Sequence, residues 1–146
     1  MIQDQTKMTG RLVIELFDKD GKPKDRREID NLVVTVGKQF IASRMVGTAS
    51  AVMSHMAAGS GTTAAAAGDT TLGPELGRAA LTSSTSSGAV ATYIATFGAG
   101  VATGAVTEAG IFNAASNGTM LARTVFPVVN KGADDVMSIT WQVTVS

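Results

Sequence analysis

The chain has 146 residues, of which 45% are hydrophobic, and its twelve Lys and Arg balance its twelve Asp and Glu. A neutral chain of this length fits one domain with a modest core, and no net field draws it to nucleic acid or to an anionic membrane. It contains no cysteine, which excludes disulfides and thiolate metal sites. We therefore predict a single domain over residues 1–146, with no nucleic-acid or membrane partner.

Signals for membrane insertion and secretion are also missing. No apolar run reaches the roughly 18–20 residues that span a bilayer, and the polar residues 1–7 lack the apolar core of a signal peptide. One Trp, one Tyr and five Phe stand against sixteen Gly, so few large side chains remain to build a deep core. This composition favours thin β-sheets or burial against other subunits.

The first predicted element is a charged β-hairpin at about residues 10–36. Residues 10–18 alternate with the period of a half-buried strand. The apolar residues on one face of that strand are Leu12, Ile14 and Leu16. Asp20-Gly21 supplies a turn, residues 24–30 return as a strongly charged strand, and residues 31–36 continue as an apolar β-branched run. The charged outer strand would discourage unwanted pairing between sheets.

One helix is predicted over residues 37–45, where the apolar period changes to 3.6 residues. The residues on its apolar side are Val36, Phe40, Ile41 and Met45. Residues 52–58 are predicted to form a short strand. The Gly- and Ala-rich residues 59–67 are predicted to form a loop.

The second half of the chain predicts strands separated by turns. The predicted strands cover residues 79–85, 89–97, 105–113, 119–126 and 136–145. Asn117-Gly118 favours a two-residue type I′ hairpin turn, because both residues tolerate positive φ. The last strand alternates most clearly and places Trp141 on its core-facing side. The pattern predicts a mainly β fold, either an antiparallel β-sandwich or a small barrel, with one short α-helix.

No residue pattern predicts a catalytic or metal site. His55 is the single histidine, no G-x-S-x-G elbow surrounds a serine, and no cysteine nucleophile exists. A lone His in an apolar segment is usually a packed residue, and His55 has no second His or Cys with which to bind a metal. We predict that the protein is not an enzyme and has no catalytic residues, no cofactor and no metal.

Two short patterns have ordinary structural interpretations. Residues 18–21 (DKDG) resemble part of a calcium loop, but aligning Gly21 with the Gly of that loop puts Leu16 and Arg27 where carboxylates are required. We interpret the segment as a hairpin turn. Residues 59–63 (GSGTT) could offer amides to an anion, but they lack the P-loop Lys and are interpreted as a flexible surface loop.

The charged residues are interpreted as surface features. Arg26-Arg27 are interleaved with acidic residues, which favours a solvated mixed-charge face over a nucleic-acid patch. Glu108 and Arg123 lie on strands predicted to be adjacent, and we interpret them as a cross-strand or intersubunit ion pair. Such pairs are usually exposed and contribute little. Asp134-Asp135 with Glu108 would be the carboxylates of a polymer hydrolase, a function class that we do not favour.

Four segments give the sequence a resemblance to a known family. They are residues 31–38 (NLVVTVGK), 56–76 (MAAGSGTTAAAAGDTTLGPEL), 107–113 (TEAGIFN) and 120–124 (MLART). Together these resemblance segments are similar to small virion structural proteins of tailed bacteriophages, which range from head-decoration to tail-fibre-like proteins. The resemblance covers nearly everything after residue 30 and transfers no catalytic residues. It implies a component of the virion, located in the host cytoplasm during assembly.

The lead expectation is a capsid decoration (cement) protein that binds the major capsid protein on the outside of the phage head. We expect a homo-oligomer, taken to be a trimer, in which neighbouring subunits compensate for the thin core. Residues 59–68 and the charged N-terminal hairpin are the expected contact surfaces. The alternative is a tail, neck or fibre-attachment protein that binds a partner subunit or a host glycan, but the short chain favours the capsid.

Overall fold

A computed structural model describes residues 7–47 and 51–145, which form a closed antiparallel barrel with one helix. The elements are β1 (Met8–Phe17), β2 (Pro23–Val33), α1 (Thr35–Met45), β3 (His55–Gly59), β4 (Glu75–Ser87), β5 (Val90–Phe97), β6 (Gly104–Phe112), β7 (Met120–Lys131) and β8 (Val136–Val145). Around the barrel the strands follow the order β1-β2-β7-β6-β3-β4-β5-β8. The mainly β prediction is confirmed, and of its two architectures the structure is the small barrel.

The barrel has two distinct ends. At the helix end, β1 begins beside the end of β8, where Met8 pairs with Val145, and α1 packs nearby. At the far end, the β1–β2 turn lies beside the start of β8, where Phe17 pairs with Val136. Gly21 in that turn has φ 80°. Asp18 accepts hydrogen bonds from the amides of residues 20 and 22, so the segment is a hairpin turn, as predicted.

The barrel interior holds the main core. Side chains from β1 and β8 that are at most 3% exposed are Leu12, Ile14, Leu16, Met137, Ile139, Trp141 and Val143. Leu12 lies directly opposite Trp141 across the β1–β8 ladder. These positions confirm the alternation predicted for both strands, because only one face of a barrel strand points inward. Val145 is 40% exposed, since it lies where β8 reaches the rim.

The charged hairpin forms as predicted, but its second strand ends earlier than residue 36. β2 stops at Val33 and α1 begins at Thr35, so the last predicted strand residues are helical. The Thr35 amide donates to the carbonyl of Ala67 (2.8 Å), and the Val34 amide donates to Leu121 (3.2 Å). These two tertiary contacts turn the chain out of the sheet, which residues 31–36 alone could not reveal.

β2 carries the mixed-charge face expected from Arg26-Arg27. Glu28 forms ion pairs with Arg26 (3.1 Å) and with Arg11 on β1. The hydrogen bond from Arg26, together with the charge of Arg11, lowers the pKa of Glu28. β2 pairs with β7 only at Leu32 and Val33. Opposite charges therefore alternate along a strand whose second edge is mostly unpaired, an arrangement that limits edge-to-edge association.

The hairpin between β6 and β7 is longer than the predicted two-residue turn. Pairing ends at Phe112 opposite Met120, and the connecting residues include Asn117 and Gly118 with φ of 54° and 77°. Both residues have the positive φ that their types predict. The Asn113 side chain accepts a hydrogen bond from the amide of residue 119 (2.7 Å), and this side-chain contact closes a wider loop.

The helix α1 lies across the helix end of the barrel. Phe40 and Ile41 are partly buried against the main core, as their period predicts, but Met45 is 83% exposed. Gly37 is buried where α1 meets the backbone of Leu121 on β7. No helix among residues 7–47 and 51–145 has the length and apolar character needed to cross a membrane.

Replacing Gly37 by Ala should loosen the contact between α1 and β7. An added Cβ would lie 2.2 Å from the carbonyl oxygen of Leu121, and backbone cannot move aside as a flexible side chain can. We expect a loss of roughly 1–3 kcal/mol in the free energy of unfolding, which outweighs a helix-propensity gain of up to about 1 kcal/mol. Chemical denaturation measures the loss. Gly98→Ala is the control, because nothing lies within 4 Å of its added Cβ; equal effects in both variants would contradict the close contact.

Candidate functional site

Residues 60–74 pass over the outside of the barrel wall formed by β3, β6 and β7, and we call them the covering loop. Beneath this loop lies a second apolar cluster, separate from the barrel interior. Its buried members are Val34, Ala57, Leu72, Phe112 and Met120. Leu72 comes from the covering loop itself and is 7% exposed. This part of the wall is therefore buried on both of its faces, inside by the main core and outside by the loop.

Glu108 on β6 is the centre of the covered wall. Its side chain is fully buried, and both carboxylate oxygens accept hydrogen bonds. Oε1 accepts from the Gly73 amide (2.9 Å) and from Arg123 Nη2 (3.0 Å), while Oε2 accepts from the Gly61 amide. One carboxylate thus joins β6, β7 and two points of the covering loop. Such charge-assisted bonds offset the cost of burying a carboxylate.

Arg123 on β7 completes the cluster and is 4% exposed. Its Nη1 donates to Asp69 Oδ2 (2.9 Å), and its Nη2 donates to the carbonyl of Thr63 (3.0 Å) as well as to Glu108. Asp69 in turn accepts from the Ala66 amide (2.8 Å). We call Asp69, Glu108 and Arg123 the ion clamp. Its two carboxylates and one guanidinium hold the covering loop against the wall.

The covering loop corrects two of the sequence interpretations. Glu108 and Arg123 do form a cross-strand pair, but it is buried within one chain, whereas an exposed pair was expected. Residues 59–63 were interpreted as a flexible surface loop, yet Gly59 belongs to β3 and Gly61 binds Glu108. A Cβ added at Gly61 would lie 2.3 Å from Glu108 Oε2. A side chain at position 61 would therefore force the buried Glu108 carboxylate to move from its hydrogen bonds, so glycine fits this close approach.

The remaining carboxylates considered for catalysis lie elsewhere. Asp134 is exposed in the β7–β8 turn, and Asp135 is buried there. Asp135 and Glu108 have different hydrogen-bond partners and belong to separate clusters. His55 is half-buried, with its Nδ1 2.8 Å from Ser54 Oγ. No group of three or more potential metal-binding side chains occurs among residues 7–47 and 51–145.

Asp135 is the centre of a second charged cluster, at the far end of the barrel. Its Oδ2 accepts from Lys24 Nζ (2.8 Å) and from the Gly132 amide (2.7 Å). The hydrogen bond from Lys24 and then that from Gly132 lower the pKa of Asp135. Lys131 Nζ donates to the carbonyl of Gly98 (2.8 Å), and burial lowers the pKa of this lysine. The cluster links the β7–β8 turn to β2 and to the loop after β5.

Asp135→Asn should make the thermal stability less sensitive to acid. Folding lowers the pKa of Asp135 below its ordinary value of 3.8, so its stabilising contribution is present above that pH and is lost as the pH falls through the lowered pKa. The variant should have a lower Tm near neutral pH, and the difference from wild type should narrow as the pH drops below 3.8. Calorimetry over this pH range measures the difference, with Asp134→Asn as the exposed control. A difference in Tm that stays constant would contradict the assignment.

An apolar surface groove lies between α1 and the barrel rim, and we call it the α1 groove. Its first cavity has a volume of about 260 Å³. Residues lining this cavity include Met8, Phe40, Ile41, Tyr93, Leu121 and Val143. A second depression of about 350 Å³ adjoins it and shares Phe40, Ile41 and Tyr93. Burial raises the pKa of Tyr93.

The α1 groove was not predicted from the sequence. The 3.6-residue period located Phe40 and Ile41 on the apolar side of the helix but could not show that they leave space beside β5. No protein-family model, no curated protein and no solved structure matches this chain. The functional interpretation consequently depends on the geometry of the ion clamp and the groove, together with the resemblance segments.

Proposed function

We propose that this chain is a non-enzymatic structural protein of a tailed-bacteriophage virion, and specifically a capsid decoration protein that stabilises the head by binding the major capsid protein. The observation that carries the proposal is the convergence of the four resemblance segments on one wall of the barrel. These segments are far apart in the chain, but they lie together on this wall. The resemblance therefore falls on one structural element, the wall with its covering loop, and not on four unconnected sites.

Direct contacts join the four segments. The first touches the second through the hydrogen bond from the Thr35 amide to Ala67. The second touches the third where Gly73 donates to Glu108, and the third touches the fourth in the ion pair of Glu108 with Arg123. Gly73, Glu108 and Arg123, which belong to these segments, hold the covering loop in place. Shared motifs of this kind would specify a shared fold.

The contacts of the buried charged side chains also fit a structural role. In the ion clamp and the Asp135 cluster, the buried ionisable groups bond to other charges or to backbone groups that fix loops. Catalytic groups, by comparison, are placed where a substrate can reach them. The mixed-charge face of β2 and the apolar α1 groove are accessible from outside the barrel. Both are surfaces suited to binding another protein.

The proposal places the protein on the outer capsid surface as a homo-oligomer, a trimer in the simplest arrangement. Neighbouring subunits and the capsid lattice would then add to the stability of a barrel that has few large side chains, because binding to the folded state stabilises it by mass action. The charged N-terminal hairpin and residues 59–68 are the proposed contact surfaces. The ion clamp fixes part of residues 59–68, so this surface would be presented to a partner in one conformation.

The number of copies per virion tests the proposal. Quantitative mass spectrometry of purified virions should give a ratio to the major capsid protein near one to one, and the protein should stay on heads that have been emptied of DNA. A handful to a few dozen copies that purify with tails would instead support the alternative, a tail, neck or fibre-attachment protein. Absence from purified virions would overturn both.

A further inference from the structure

Three strongly exposed apolar side chains lie on the α1 groove or directly follow a residue that lines it. Met45 and Val46, at the end of α1, are 83% and 82% exposed, and Val52 beside the second depression is 59% exposed. Val52 lines the second depression, and Met45 and Val46 directly follow Arg44, which lines it too. Apolar side chains exposed at the edge of a depression form a patch of the kind that usually marks a binding surface. A small molecule held in one depression would leave Met45 and Val46 uncovered, so the patch fits a macromolecular partner.

The rim of the groove is basic. Lys7 and Lys38 border a further depression next to Met8, and Arg44 borders the depression beside Val52. No Asp or Glu lines any of these three depressions, and α1 contains no acidic residue. Among residues 7–47 and 51–145, no ion pair involves Lys7 or Lys38. In a chain of zero net charge, the positive charges of Lys7 and Lys38 on this rim complement an acidic partner.

We propose that the α1 groove docks a segment of another virion protein that carries two apolar anchor side chains flanked by carboxylates. The two adjoining depressions would take the anchors, and Lys7 and Lys38 would face the carboxylates. A second copy of this chain fits less well, because its most acidic surface, on β1 and β2, is interleaved with arginines and offers no net negative charge. The inference names the chemistry of the partner and rests on the proposed virion function.

Binding of synthetic peptides to the full-length protein tests the inference without the virion. The probe is a fluorescein-labelled peptide with two leucines flanked by glutamates. Two matched peptides replace the glutamates by lysines or the leucines by serines. Fluorescence anisotropy should show the acidic leucine peptide binding about tenfold more tightly than either matched peptide. Amide chemical-shift changes should cluster at Phe40, Ala91, Tyr93 and Val143.

Two sets of variants separate the contributions of charge and apolar contact. Lys38→Glu should weaken binding of the acidic peptide about fivefold and strengthen binding of the lysine peptide, because the rim charge is reversed. Met45→Ser with Val46→Ser should weaken both leucine peptides alike. All three residues are exposed, so these changes leave the core intact. Lys19→Glu in the turn at the far end reverses another exposed charge and should leave binding unchanged.

Several results would overturn the inference. Equal binding of all three peptides, no detectable binding, or shift changes away from the groove would each do so. Tighter binding of dodecanoate than of any peptide would reassign the groove to a small amphiphile, and self-association blocked by Met45→Ser would reassign it to a second copy. The copy number in virions is measured independently. If the protein is found in virions but its groove does not bind acidic peptides, this inference alone is refuted. If the groove binds acidic peptides but the protein is absent from virions, the proposed function is refuted.

Discussion

Glu108→Gln is expected to lower the free energy of unfolding by about 3 kcal/mol, at the lower end of the cost of breaking a buried ion pair. The substitution keeps the size of the side chain but removes its charge, and it leaves the buried guanidinium of Arg123 with Asp69 as its single anionic partner. Asp69 is 2.9 Å from Arg123 Nη1, which is why the loss should not be larger. Urea denaturation of both proteins measures the difference.

The same substitution should release the covering loop before the barrel unfolds. The Gly61 and Gly73 amides donate to Glu108, so their hydrogen exchange should accelerate in Glu108→Gln, while amides in β1 and β8 remain protected. Local opening of this kind is expected where a loop depends on few contacts. If the variant is as stable as wild type, or if both glycine amides keep their protection, the ion clamp does not hold the loop.

Two comparisons identify the source of the loss. Glu28→Gln removes a carboxylate from an exposed ion pair on β2, and exposed pairs contribute little, so its effect should be much smaller. Glu108→Gln combined with Arg123→Met should cost less than the sum of the single changes. The effects of changing two residues of one ion pair are not additive, because Arg123→Met removes the buried guanidinium that Glu108→Gln had deprived of one of its two carboxylate partners.

The sequence predicted those features that depend on neighbouring residues. β1 and β8 alternate with a period of two because each has one face toward the core, and that period can be read from residues 12–16 and 137–143 directly. The positive φ of Asn117 and Gly118 likewise follows from their residue types. The wider loop around these two residues does not follow from their types, because it depends on the side chain of Asn113.

The candidate site depends on contacts between distant residues, which explains why it was missed. The amide of Gly61 and the carboxylate of Glu108 are 47 residues apart, and the sequence between them fixes no distance. One available signal was the uninterrupted run of small and apolar residues at 109–112, which is typical of a strand covered on both faces. Because both faces of such a strand are covered, a Glu that directly precedes the run is expected to be covered as well, and it must then be paired. That reasoning would have favoured burial for Glu108.

Trp141→Ala should cause the largest loss of stability, about 3–5 kcal/mol, the usual cost of truncating a large aromatic side chain in a core. Trp141 is fully buried in the barrel interior, opposite Leu12 on β1 and Tyr93 on β5. It is the largest of the fully buried side chains, so its truncation leaves a large space in the core. Thermal and chemical denaturation measure the loss, and Gln142→Ala at the exposed neighbouring position should change the stability by no more than about 0.5 kcal/mol.

Trp141→Phe separates two contributions of Trp141 to stability: the packing of its aromatic ring and the cost of burying its N–H group. The Nε1 atom is buried without a hydrogen-bond partner among the residues that the structure describes, and a buried unpaired donor typically costs about 1–3 kcal/mol. Phenylalanine removes that donor while keeping an aromatic ring, so the relief of the unpaired group should offset part of the lost volume. We expect Trp141→Phe to lose less than half of what Trp141→Ala loses. Equal losses would mean that the donor is satisfied in solution, with a water inside the barrel as the simplest partner.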